Sequence, residues 1–143
     1  YTAQKCTDGK LPNGTVTEAV LQDCERSILN YERSMHSKNL HQTFGGAEKL
    51  IRAANKWWSK TSKNIDWDNP GEDVHQPLLD LFHYVKVAVS LMHPIAPTGS
   101  EKVRHHLNIG PELWSWEHIF KPLSELIDND HSFIEVPPRT DFY

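Results

Sequence analysis

Cysteine is scarce in this chain: Cys6 and Cys24 are the only two among 143 residues. Two thiols are too few for a disulfide scaffold or a four-cysteine zinc site. Their scarcity fits a reducing compartment, and the cytoplasm is the expected location. Long apolar runs are missing too. None approaches the ~20 residues of a membrane-spanning helix, and the longest candidate, Leu78 to Leu91, is interrupted by Asp80, His83, Tyr84 and Lys86. No membrane partner is expected. Tyr1 to Gly14 is polar and lacks the pattern of a secretory signal. An excess of positive charge is also absent: 15 Lys and Arg against 19 Asp and Glu leave a net charge of −4. Phosphate binding rests largely on Lys and Arg, so a grip on nucleic acid by global charge is excluded. An RNA site must be a local basic patch, and DNA is not an expected partner.

Catalytic signatures are missing as well. The chain has no G-x-S-x-G, no P-loop, no HxxxH and no CxxC. Its nine histidines are scattered: His36 and His41 are five apart, His75 and His83 eight apart, and His105-His106 diverge on a helix. They read as surface or satisfied side chains rather than metal ligands. Asp66 and Asp68 sit in a Pro/Gly-rich loop and read as turn formers. No catalytic residue and no metal ligand is therefore assigned. Period-two alternation, internal repeats and low-complexity tracts are absent too, so no sheet is expected.

What is there reads as helix. The length suits one domain, and 38% hydrophobic residues can supply its core. The opening YTAQKCTDGK looks like the tail of a helix, and position 1 is not Met, so the chain is expected to be a fragment of a longer protein. Thr15 to Glu18 has capping-box spacing, with Thr15 as N-cap. Val16, Val20, Cys24, Ile28, Tyr31 and Met35 then trace one helical face. Asn39, with Gln42 three residues on, caps a second long helix. Leu40, Phe44, Ala47, Leu50, Ile51, Ala54, Trp57 and Trp58 form its apolar face. Gly45-Gly46 within it reads as a point of close helix contact, since each glycine costs roughly 1 kcal/mol of helix propensity relative to Ala.

Ser62 to Gly71 reads as a loop. Pro77 belongs in the first turn of the next helix, and Leu78 to Met92 is apolar nearly all round, so this helix is expected at the centre. Pro94 and Pro97 stop it. Thr98 to Glu101 forms a second capping box for a short helix to about Leu107, closed by Asn108 and Gly110. Trp116 to Leu126 is read as a short helix, and the last dozen residues as extended. Trp114 and Trp116, two apart, are expected to dock on one side of the bundle. The predicted fold is all-α, an antiparallel bundle of four to five helices.

The strongest candidate site is cationic. Arg52, Lys56, Lys60 and Lys63 follow spacings of four, four and three, beside Trp57 and Trp58. Cations next to rings suit single-stranded RNA, where the charges hold phosphates and a ring stacks on an unpaired base. A solvated basic face over two core tryptophans is the alternative. Lys38 and Lys49 do not extend this stripe cleanly.

Several motifs, in order along the chain, resemble the anticodon-binding helical domain of class I methionyl-tRNA synthetases. Lys5-Cys6-Thr7-Asp8-Gly9-Lys10-Leu11-Pro12 is similar to the family's K-Y-x-D-G-x-x-P. Ala53-Ala54-Asn55-Lys56-Trp57 matches the first half of its A-A-N-R/K-Y-I-D-E-x-x-P-W motif. Leu91 to Thr98 resembles its L-x-P-x-x-P segment, with Ser100-Glu101-Lys102-Val103 after it. Trp114 to Leu123 and Pro138-Arg139-Thr140-Asp141-Phe142 resemble the closing segments.

The likeness spans nearly the whole chain. It implies a class Ia tRNA synthetase anticodon-binding-domain-like fold, methionine tRNA as partner, and a parent ligase whose catalytic domain uses ATP, and zinc, outside these residues. On that reading Arg52, Lys56, Lys60 and Lys63 contact phosphate. Asn55 and Asn64 meet base edges, and Trp67 or Trp57 stacks. The family's anticodon-facing Asn and Arg would fall before Tyr1. Its stacking tryptophan aligns with Asn64, and Trp67 stands three residues later as a substitute. A protein-interaction or scaffold paralogue that no longer reads an anticodon is the rival expectation.

Overall fold

The computed structural model describes every residue from Tyr1 to Tyr143. Five α-helices carry the fold: α1 (Thr2–Thr7), α2 (Glu18–His36), α3 (Leu40–Thr61), α4 (His75–Met92) and α5 (Pro97–Leu107). The remainder is short 3-10 turns and irregular chain, with one isolated bridge between Lys10 and Ser132 in place of any strand. No helix is long and apolar enough to cross a membrane.

Helices α2, α3 and α4 form the main layer. Asp80 of α4 meets Thr17 at the start of α2, and Tyr84 meets Asp23 one turn further on. These two helices therefore run the same way, and α3, joined to α2 by the turn Ser37 to Asn39, runs back against both. Val16, Val20, Cys24, Ile28 and Tyr31 meet Ala47, Leu50, Tyr84, Val87, Leu91 and Ile119 in one apolar core. The expected face of α2 is thus buried except at Met35, which is exposed. On α3 the inward face of the first turns is not the one its periodicity suggests: Leu40 and Phe44 are exposed, and Thr43 is buried in their place.

Helix α4 is the most buried, as expected. The polar residues that interrupt its apolar run are buried with it: Asp80, His83 and Lys86 are 5, 2 and 0% exposed. Lys86 reaches across the core to donate to the carbonyls of His118 and Ile119. An ammonium so buried needs such partners, and here it fastens a segment that has no α-helix of its own.

Several local expectations are corrected. Thr15 does not cap α2. The helix starts at Glu18 with Thr17 as N-cap, and the Thr17 hydroxyl is bound to Asp80 rather than to its own helix. Thr98 does not cap α5 either; Pro97 takes the first helical position, which suits its missing N–H. Glu101 is committed to Arg104 and Trp114. The helix read over Trp116 to Leu126 is two 3-10 turns, Trp116–His118 and Leu123–Glu125, separated by Pro122. Trp114 is half-buried while Trp116 is exposed, so the two rings do not dock together. Gly45 and Gly46 lie inside continuous helix, and a Cβ at either would meet nothing within 4 Å. They are not a close helix contact.

Other signals hold. Asn39 Oδ1 accepts from the Gln42 N–H at 3.2 Å. Pro77 sits in the first turn of α4. Asn108 closes α5 in the left-handed region, at φ 58°.

Candidate nucleic-acid interface

The residues of the cationic stripe are delivered by the amphipathicity of α3. Ala47, Leu50, Ala54 and Trp57 turn inward, so Arg52, Lys56 and Lys60 are carried outward. At about 100° per residue these three lie within about 80° of arc. All three are exposed, as is Lys63 in the 3-10 turn Ser62–Asn64 that continues the helix. The ridge therefore exists as one surface. Its four members are not equivalent. The Arg52 guanidinium donates to Glu48 Oε1 from Nε at 3.0 Å and from Nη2 at 2.6 Å. This partner is one turn away, with 78 and 62% of the two side chains exposed, so its contribution to stability is small. It does neutralise the upper end of the ridge. No salt bridge engages Lys56, Lys60 or Lys63.

The aromatic part is placed differently. Trp57 is half-buried against Tyr84, with centroids 5.4 Å apart, and against Trp58 at 6.2 Å. Trp58 in turn meets the edge of Trp67 at 6.4 Å. Trp67 donates its indole N–H to the Ser62 carbonyl at 3.2 Å, and the Lys5 ammonium stands 5.9 Å from its centroid. It joins the small core of Ile65, Val74 and Leu78. Trp67 thus plugs the loop, with only part of its ring exposed. Asn55 and Asn64 are both exposed. The structure brings Arg52, Lys56, Lys60 and Lys63 onto one face; it sets the three tryptophans beneath and beside that face as a connected row.

The acidic loop below the row is tied by its own carboxylates. Asp73 accepts from the backbone N–H of Asp66 at 3.0 Å and of Gly71 at 2.9 Å, and these bonds hold its carboxyl below the usual range. Asp66 accepts from Asp68 and Asn69. The turn-forming reading of Asp66 stands, while Asp68 contributes backbone only.

Sequence reasoning missed a second constellation, at the break between α4 and α5. His93 stacks on Trp114 with centroids 4.1 Å apart and planes 11° from parallel. The Trp114 N–H donates to Glu101 at 2.6 Å, and Arg104 donates to the other Glu101 oxygen at 2.6 Å and to the Ile109 carbonyl at 2.7 Å. Hydrogen bonds from Arg104 and then Trp114 hold the Glu101 carboxyl below its ordinary value. Glu101, Arg104 and the Trp114 N–H are bonded to one another, and His93 Nε2 stands 3.7 Å from Glu101, which fits a brace for the following turns.

Buried titratable groups do not form a reactive centre. Burial, more than the neighbouring Asp23, pushes the Cys24 thiol up to about 12, so it carries no thiolate near neutrality. Burial pushes His83 down to about 4, with Lys86 adding to the effect. No group of three or more His, Cys, Asp or Glu side chains is placed to hold a metal ion. Neither a protein-family profile nor any curated protein sequence matches the chain.

Proposed function

We infer that this chain is an RNA-contacting module, the anticodon-stem recognition part of a methionine–tRNA ligase. In this role it presents the exposed face of α3 to the anticodon stem-loop of methionine tRNA. Aminoacylation, with ATP, belongs to a catalytic domain of the parent enzyme. The observation that carries this reading is the ridge of Arg52, Lys56, Lys60 and Lys63, exposed on one face of an otherwise acidic chain, with Trp57, Trp58 and Trp67 packed alongside. The ordered motifs that resemble the synthetase domain supply the choice of RNA. Phosphates would meet the lysines, base edges Asn55 and Asn64, and the exposed part of the Trp57 or Trp67 ring an unpaired base.

The second reading is a scaffold paralogue. It is favoured by Asn64 standing at the family's tryptophan position and by Trp67 being held internally through Ser62 and Trp58. One experiment separates the two: anisotropy titration of the chain with the methionine anticodon stem-loop and with a stem-loop bearing another anticodon, over a range of salt. Tighter binding of the methionine sequence, weakening as salt rises, supports the ligase module. Equal affinity for both removes anticodon reading. No binding at low salt removes the RNA role and leaves the scaffold.

A further inference from the structure

The helical glycine pair has no packing role, and what lies over it is a groove. Between α2 and the first half of α3 is a cavity of about 380 Å³. Gly45 and Gly46 leave the α3 backbone bare on one side of it. Asn30 and Ser34 of α2 face Gln42 and Lys49 of α3 across it, with His41 at one end. No carboxylate lines it. Tyr31 also lines it; that side chain is 4% exposed, and its hydroxyl has no hydrogen-bond partner. Burying a hydroxyl without a partner is unfavourable, and so is placing two adjacent glycines in mid-helix. Burial of the Tyr31 ring in the main core offsets the first; nothing packs on the glycines to offset the second.

We propose that this groove takes a ribose–phosphate unit of the RNA backbone. The proposal rests on the RNA-contacting reading above and extends its footprint. The chemistry fits a sugar and a phosphate. Lys49 and His41 supply cationic or N–H donors for phosphate oxygens. The amides of Asn30 and Gln42 and the hydroxyl of Ser34 both donate and accept, as a ribose 2′-hydroxyl requires. Glycine permits a close approach to the helix backbone that any side chain would block. A groove with one apolar lining residue does not suit an apolar peptide. Lys49 connects it to the ridge: it stands three residues before Arg52, on the same face, so the spacing from Lys49 to Lys63 runs three, four, four, three. That row is about 21 Å long at helical rise, continuous enough to follow a phosphate backbone.

The test titrates the 143-residue chain with the methionine anticodon stem-loop and its 2′-deoxy counterpart, and melts each protein. Replacing both glycines by alanine should raise Tm by about 3–6 °C through helix propensity while weakening RNA binding about 3- to 10-fold. A change that stabilises the fold and weakens the ligand identifies a binding feature. Gly46→Gln should weaken binding by about 10-fold or more, and Lys49→Gln should weaken it and lower the salt slope by about one unit. The 2′-deoxy strand should bind more weakly to the wild type and equally weakly to Gly46→Gln. If Lys56→Ala weakens binding but the glycine and Lys49 variants bind like wild type, the groove is overturned and the ridge stands. If wild type binds no RNA at low salt, both are overturned. Equal wild-type affinity for the deoxy strand overturns the ribose assignment.

Discussion

Asp80 and Thr17, 63 positions apart, are joined by two hydrogen bonds: one carboxylate oxygen accepts the Thr17 backbone N–H at 2.8 Å and the other its hydroxyl at 2.7 Å. Asp80 does for α2 what the N3 glutamate of a capping box does for its own helix, accepting the N-cap N–H, but from a neighbouring helix. Gln76 adds to the joint, donating to Asp80 at 3.0 Å and to the Thr15 carbonyl at 2.9 Å. Asp80→Ala should cost about 2–4 kcal/mol, since it orphans a helix-start N–H and removes a nearly buried acceptor. Thr17→Val should cost about 1 kcal/mol, and the pair should couple rather than add. Urea unfolding measures all three; a fully additive double variant would remove the interaction.

Acid should loosen this fold near pH 5. The His83 imidazole is held at about 4 in the fold by burial, against 6.5 when free. Between those values the unfolded chain binds more protons, so stability rises with pH there and is lost as pH falls from 6.5 towards 4. The full loss is about 3 kcal/mol, order of magnitude. His83→Leu should flatten the urea midpoint between pH 6.5 and 4.5. An unchanged slope in that variant would assign the acid sensitivity to other groups.

On the ridge the structure ranks the cations. Lys56→Ala and Lys60→Ala should each weaken stem-loop binding and flatten the salt slope by about one unit. Arg52→Ala should do less, because Glu48 already neutralises that guanidinium. Glu48→Gln should then tighten binding about 2- to 3-fold. A loss on Arg52→Ala as large as on Lys56→Ala would show that the ion pair opens for RNA.

Gly99 is the seat of the C-terminal residues. A Cβ there would strike the Phe142 carbonyl and the Tyr143 ring, whose hydroxyl pairs with Ser100 at 3.0 Å. Gly99→Ala should unseat residues 138–143 and cost about 1–3 kcal/mol. Limited proteolysis should then cut the tail before the bundle. Tyr143→Phe should keep the tail seated and lose only about 1 kcal/mol.

Long helices were legible because their evidence is local. Periodicity placed α2, α3 and α4, and Asn39 and Asn108 marked real ends. The errors share a cause: the deciding partner was distant in sequence. Thr17 rather than Thr15 starts α2 because Asp80 is waiting for it. Glu101 looked like a capping glutamate, yet Arg104 and Trp114 claim it. Gly45 and Gly46 suggested close packing, and no spacing rule could reveal that their neighbour is empty space. For the ridge, helix periodicity was enough to share a face. It could not show that Glu48 neutralises Arg52, that Lys49 lines a groove against α2, or that Trp67 is tied down by Ser62.

The meeting of the two chain regions around Gly9 and Phe133 sets an order of assembly. Phe133 donates its N–H to the Gly9 carbonyl at 2.6 Å, and Gln4 donates to the Phe133 carbonyl at 3.1 Å across 129 positions. On a ribosome, α2, α3 and α4 can pair as soon as they emerge, because their contacts are close in sequence. Helix α1, synthesised before them, meets Trp67 and the Ile65, Val74 and Leu78 cluster through Lys5 and Cys6, but its joint with Phe133 waits until that residue appears. The bonds that tie α1 to residue 133 are thus made after the helices that follow it in the chain have paired.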